Sequence, residues 1–343
     1  MENKKGFKKN AILLTLILVI VLYFSLKDNF NSIIDILLKA DLRWLFFAIV
    51  FIFVYWILRA ACLFMIAKKY SKHLKFIHIF QLTLITQFFN GVTPFSSGGQ
   101  PMEVYYLSKA GIKASKGTNI ILQEFILYQM ALIVHGILAI SLNYHFHFFK
   151  AVPILRELTL IGFIINTLVG VGLLFISFST KFNNKVMKLL VKLCYKFKIV
   201  KDKEKTIEKW STRLEEFHES ADLLKNEKIL FVKGFIYNFL SLVCYYIIPL
   251  FVIYAMGNFN INVIETITAS AYVLIIGAFV PIPGGSGGIE YGYMQFFGNF
   301  VGGSILSASM LAWRFVTYYL GMIIGAITLN FFKGVKGDVK EWE

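Results

Sequence analysis

Eight apolar runs follow one another along the chain, at Ala11–Leu26, Trp44–Ala67, Phe76–Val92, Thr118–Leu142, Leu158–Ser179, Ile229–Met256, Val263–Val280 and Ser304–Phe332. A helix needs about 20 apolar residues to cross roughly 30 Å of hydrocarbon. In lipid every backbone N–H and C=O must find its partner within the protein, so spanning segments are helices or closed barrels, and runs this long and continuous are helical. The expectation is an all-α polytopic integral membrane protein forming one transmembrane domain over residues 1–343. Composition agrees: 57% of residues are hydrophobic and 16% charged, where soluble domains are nearer a quarter charged. Soluble enzymes and disordered scaffolds are excluded on that ground.

The basic residues set the topology. Lys and Arg outnumber Asp and Glu 35 to 20, and in a membrane protein such an excess marks cytoplasmic loops facing anionic lipid rather than a nucleic-acid surface. Lys4, Lys5, Lys8 and Lys9 precede the first run, which lacks a small-x-small cleavage site and reads as an uncleaved anchor with its N-terminus inside. Lys68, Lys69, Lys72 and Lys75 follow the second run, and Lys109, Lys113 and Lys116 follow the third. If both basic loops are inside, residues 76–108 enter and leave by the same face as a re-entrant hairpin. The segment 180–228 carries thirteen Lys and Arg from Lys181 onward and is expected to be a cytoplasmic helical loop. Returning the tail, residues 333–343, to the same side requires a second hairpin at 263–300, entering from outside. The result is six full spans and two opposed hairpins, the first within a half at 11–179 and the second within a half at 229–332, an arrangement like an inverted repeat. It places 27 of the 35 basic residues inside. Phe30–Ala40 has helical apolar spacing, suiting either an interfacial helix or an ordinary loop helix.

The two hairpins turn on related sequences. Pro94, Ser97, Gly98, Gly99 and Glu103 correspond to Pro283, Ser286, Gly287, Gly288 and Glu290, the first copy having extra residues at Gln100 to Met102. Irregular backbone at membrane depth is costly unless it lines a cavity. Glycine admits close approach, and the start of the second helix in each hairpin offers N–H groups and a positive dipole end. With Pro101 expected at the first helical position, Thr93, Ser97, Gly98, Gly99, Ser286, Gly287 and Gly288 become candidate ligands of an anion such as a lipid phosphate. Neither turn has the Gly-Lys-Ser/Thr ending of a nucleotide-binding loop.

Glu103 and Glu290 carry two readings, as caps of helix starts or as cavity carboxylates that meet an amine or carry protons. Glu124, Tyr128 and His135 share one helical face, as do Arg314, Tyr318, Gly321 and Gly325. Arg314 therefore suits either a grip on phosphate or an ion pair with Glu124, Glu103 or Glu290. Arg59 is a third ionisable candidate, expected to pair internally or to snorkel, and the GxxxG of Gly321 and Gly325 signals close helix packing. His145 and His147 lack a third ligand, and Cys62, Cys194 and Cys244 are far apart, so neither a metal site, a cofactor nor a disulfide framework is expected. No motif ties a nucleophile to a base, so no catalytic residue is assigned.

With Asn90, Thr93, Pro94, the Ser97-Gly98-Gly99 turn, Glu103, the Pro281–Glu290 segment and Arg314 in place, the sequence resembles the lysylphosphatidylglycerol synthase transmembrane-region family over Ala11 to Phe332. This is the membrane portion of the bacterial multiple peptide resistance factor and its short relatives. The resemblance implies a lipid flippase of the bacterial inner (plasma) membrane, with both termini cytoplasmic. Its partner would be phosphatidylglycerol or an aminoacyl derivative, as in resistance to cationic peptides, while short relatives also handle polyprenyl-linked sugars. Full-length members carry a soluble C-terminal synthase domain, and a chain ending at Glu343 is expected to lack that step. The alternatives are a phosphatidylglycerol lysyltransferase drawing on lysyl-tRNA, and an assembly factor that uses its cavity as a lipid clamp. Self-association into a homo-oligomer is left open.

Overall fold

The computed structural model describes residues 30–71, 73–149, 153–196, 202, 204, 206–212, 215, 227–277 and 282–331. The first apolar run, much of the charged loop, Val280, Pro281 and the basic tail lie outside the described residues. Within them the elements are helical throughout: α1 (Phe30–Leu38), α2 (Leu42–Ala67), α3 (Phe76–Val92), α4 (Gly99–Lys109), α5 (Ala114–Phe146), α6 (Pro153–Phe178), α7 (Thr180–Lys196), α8 (Lys228–Tyr246), α9 (Ile248–Ala255), α10 (Val263–Gly277), α11 (Gly288–Phe297), α12 (Gly303–Arg314), a π-helical segment (Phe315–Tyr319) and α13 (Leu320–Phe331). Four stretches are long and apolar enough to cross a membrane: Leu42–Ala67, Ala114–Phe146, Lys228–Ala255 and Gly303–Phe331. Phe76–Val92, Thr159–Gly172 and Val263–Gly277 are shorter apolar helices.

Local chemistry sets the ends and breaks. Asp41 caps α2 by accepting from the Arg43 amide at 2.9 Å, which satisfies one of the orphan donors of the first turn. That bond also holds the Asp41 carboxyl below its ordinary pKa. The run Ile229–Met256, expected as one span, is one such stretch built from two helices that meet at Ile247, two residues before Pro249. Proline lacks the N–H that would continue the ladder, so the break falls there. The last run is interrupted by the π segment, where the Leu320 N–H donates to the Phe315 carbonyl five residues back.

Trp56, Ile52 and Tyr246 lie in the core beside Phe296 and Phe297. α8 packs along α2, and α13 along α3. Gly321 sits against Trp56 and Gln87, and Gly325 against the Leu84 carbonyl and Phe88, with no room for a side chain at Gly325. This is the close packing expected from the GxxxG spacing. α1 lies against α12.

Candidate functional site

The two glycine-rich segments each break a helix with a single 3₁₀ turn led by proline, Pro94–Ser96 between α3 and α4 and Pro283–Gly285 between α10 and α11. The residue before each proline, Thr93 or Ile282, is extended, as the proline ring requires. Both turns then pass through left-handed backbone: Phe95 and Ser96 at φ 54° and 51°, Gly284 and Gly285 at φ 64° and 62°. Ser97 donates to the Pro94 carbonyl at 2.9 Å and Ser286 to the Pro283 carbonyl at 3.1 Å. The correspondence read from sequence is thus one of conformation as far as the left-handed pair; beyond it Ser97 and Gly98 have helical backbone where Ser286 is extended and Gly287 has φ 88°. The two turns touch each other.

Their helix starts are closed from within the chain, by different means. In the first, the Gly98 amide donates to Thr93 Oγ1 and the Gly99 amide to Asn90 Oδ1, both at 2.8 Å. α4 therefore begins at Gly99, and Pro101 stands third in it rather than first, still within the turn whose N–H groups need no helical partner. In the second, Glu290 is the third residue of α11 and its Oε2 accepts from the Gly287 amide at 2.7 Å, the reach-back half of a capping box. Its other oxygen lies 2.8 Å from Arg314 Nε. Arg314 Nη2 donates to the Gly284 carbonyl at 3.1 Å and to Ser286 Oγ at 3.2 Å.

Arg314 and Glu290 are thus an ion pair, with side chains 4% and 8% exposed, and of the partners expected for Arg314 the structure selects Glu290. The guanidinium also lies over the Tyr318 ring, 4.4 Å from its centroid. Tyr318 in turn donates its hydroxyl to the Gly91 carbonyl at 2.8 Å, at the end of α3. One short stretch of the last span, 314–318, therefore holds both turns at once.

A second, partly buried pair joins α2 to α5. Arg59 Nη2 lies 3.0 Å from Glu124 Oε1, Nη1 donates to Asn238 Oδ1 on α8 at 3.1 Å, and the guanidinium is 4.1 Å from the Tyr128 ring centroid. Internal pairing, one of the two readings of Arg59, is the one observed. Between the two pairs opens a cavity of about 630 Å³ lined by Arg59, Glu103, Glu124, Arg314, Asn90, Gly99 and Gly284 among others. Thr93, Ser97, Gly98, Ser286, Gly287, Gly288 and Glu290 are not among its lining residues; they build the turns behind it. Glu103 has no hydrogen bond or ion pair among the described residues.

His135 shares a helix with Glu124 but is buried away from the cavity, stacked on Phe239 at 4.2 Å. His147 ends α5 in left-handed backbone, and no cluster of three metal-ligating side chains occurs among the described residues. Asn238 and the Tyr318 to Gly91 contact were not read from sequence, because nothing in a helical stripe tells which neighbouring helix it will meet.

Comparison with known proteins places these features in a wider set. The family model described as the lysylphosphatidylglycerol synthase TM region matches residues 10–325. A UPF0104 membrane protein of Archaeoglobus fulgidus is 24% identical over 305 residues, covering 84% of this chain and 87% of its own length. A second UPF0104 membrane protein, from Methanocaldococcus jannaschii, is 25% identical over 335 residues and covers 95% of both chains.

Proposed function

The chain belongs to the lysylphosphatidylglycerol synthase transmembrane-region family, and on that premise we propose that it translocates a phospholipid with an anionic or aminoacylated headgroup, of the lysylphosphatidylglycerol kind, between the leaflets of the membrane. The observation that carries this reading is the cavity of about 630 Å³ between the two ion pairs, whose charged lining residues are Arg59, Glu103, Glu124 and Arg314. Ionisable groups at membrane depth are costly and mark substrate paths, and a volume of this size is in the range of small-ligand sites. The headgroup occupies the cavity while the acyl chains stay in the bilayer. Because the Gly98, Gly99 and Gly287 amides are taken by Thr93, Asn90 and Glu290, the phosphate is met by the guanidinium faces of Arg59 and Arg314 rather than by the helix starts alone. The two segments 76–108 and 263–300 act as opposed re-entrant hairpins, and rocking of one half against the other alternates access. Both termini lie in the cytoplasm of a cell whose plasma membrane holds the protein.

The test is leaflet accessibility of fluorescent phosphatidylglycerol and its lysyl derivative in liposomes containing the purified chain. Movement is expected for the unmodified protein and loss of movement for the paired variant Arg59→Gln with Glu124→Gln, which removes both charges of the cavity pair together. Equal movement in both would sink the reading. If cells expressing the chain alone accumulate lysylphosphatidylglycerol, a lysyltransferase takes its place.

A further inference from the structure

The charges around the cavity do not cancel. Arg59 is balanced by Glu124 and Arg314 by Glu290, which leaves Glu103 as a cavity-lining carboxylate with no counter-ion and no hydrogen bond among the described residues. The elements around it supply none. α3 presents only the uncharged Thr83, Thr86, Gln87, Asn90 and Gly91 to the cavity, its one titratable side chain, His78, lying in its first turn. α5 brings Glu124 and Tyr128, α2 brings Tyr55 and Arg59, and Tyr245, Arg314 and Tyr318 complete the titratable lining. The charges that act on Glu103 are those of Glu124 and Arg59, which already neutralise each other.

Its register explains the isolation. Gly98 caps α4, so Glu103 is the fifth helical residue, two residues and about 200° of helix beyond the third position from which Glu290 reaches back to its own cap. The extra residues Gln100 to Met102 carry it out of capping range and over the cavity. A carboxylate that lines a cavity of the bundle without a counter-ion favours its protonated form until a positive charge arrives.

We infer that Glu103 is a proton-binding site, and that the cavity exchanges one proton for one positive charge on its ligand. The inference rests on the translocation reading and adds the coupling ion to it. When an ammonium-bearing headgroup enters, the O–H bond of Glu103 breaks, the proton leaves to cavity water, and the carboxylate becomes the counter-ion of the ammonium. When the headgroup departs, Glu103 takes a proton from the side to which the cavity is then open. A pH gradient would thereby drive, or oppose, net movement of an aminoacylated lipid, while phosphatidylglycerol, which brings no positive charge, would move without proton exchange.

Two measurements on the full chain decide the matter. Infrared difference spectra of the unmodified protein against Glu103→Gln at neutral pH are expected to show the carbonyl stretch of a protonated carboxylic acid, absent in the variant and lost at alkaline pH. Because no ion pair is broken, Glu103→Gln should keep its thermal midpoint, which separates a lost proton site from a lost fold. In liposomes loaded with a pH-sensitive dye, lysylphosphatidylglycerol movement should release protons, and its leaflet ratio should shift about tenfold per pH unit of gradient if one proton is exchanged per lipid. The variant should lose that dependence. Absence of the infrared band, or lipid movement indifferent to the gradient, overturns the proton site and leaves translocation standing. No lipid movement in any vesicle fails the translocation reading, and the infrared band then decides on Glu103 by itself.

Discussion

The two helix breaks share a proline-led turn with a left-handed pair, diverge at the serine and glycine that follow, and are wired differently. In the second, glycines occupy the left-handed positions, Ser286 and Glu290 are buried, and Arg314 ties carbonyl, hydroxyl and carboxylate into one charged cluster. In the first, Phe95 and Ser96 occupy the left-handed positions, Phe95 is 62% exposed, the cap is uncharged, and the glutamate faces a cavity alone. Left-handed backbone costs a non-glycine residue about 1–2 kcal/mol, and a buried charge pair resists change because either member alone is worse than both. The second break is thus a fixed abutment, and the first the half that retains strained backbone and an unpaired carboxyl group. Two copies of one turn can thus differ in wiring, one closed by a charged cluster and the other leaving its glutamate over a cavity.

Removing one partner of the fixed cluster should have the largest effect. Arg314→Gln leaves Glu290 buried and uncompensated, with an expected loss of about 3–5 kcal/mol, read as a fall in thermal midpoint in detergent; a fall no greater than that of Glu103→Gln would erase the distinction between the copies. Next comes Gly284→Ala. Its Cβ would meet the Tyr318 ring in left-handed backbone, so a destabilisation of about 2–3 kcal/mol is expected. The reciprocal change in the first break, Phe95→Gly, relieves strain on an exposed side chain and should stabilise by about 1 kcal/mol. Opposite signs for these two changes sharpen the comparison, and equal signs break it. Tyr318→Phe removes a single bond to the Gly91 carbonyl and should cost about 1 kcal/mol, with cysteine cross-linking between the two breaks becoming less efficient as they separate. Smallest is Glu103→Gln, within about 0.5 kcal/mol of the unmodified protein.

Much of this was legible in the sequence, for reasons particular residues make clear. Helix and break positions follow from long apolar runs punctuated by Pro94 and Pro283, and the matching of Ser97 with Ser286 follows from their spacing. The Arg314 to Glu290 pair stood among three candidates, since burial demands a counter-ion but does not choose it. What chose it was the register of Glu290 at the third helical position, readable once the cap was known to be Gly287. The Arg59 to Glu124 pair and the Tyr318 to Gly91 bond were not legible. They depend on how α2 crosses α5 and how the last span lies on α3, and a helical stripe records which residues share a face without recording what that face will meet. The helix joint at Ile247 was foreshadowed by Pro249 inside an unbroken apolar run; the π segment had no such marker.

That π segment has a genetic corollary. Five residues, Phe315–Tyr319, carry one more residue than an α-helical path would use. Deleting a single residue there would remove the bulge and let the last span close into an uninterrupted α-helix, with Gly321 and Gly325 still against α3 and Arg314 still on the second break. The same deletion in the regular helix on either side would instead turn everything beyond it by about 100° and swing one of those contacts away. The damage done by losing one residue should therefore depend on where along the span it falls, least within Phe315–Tyr319 and far greater outside it.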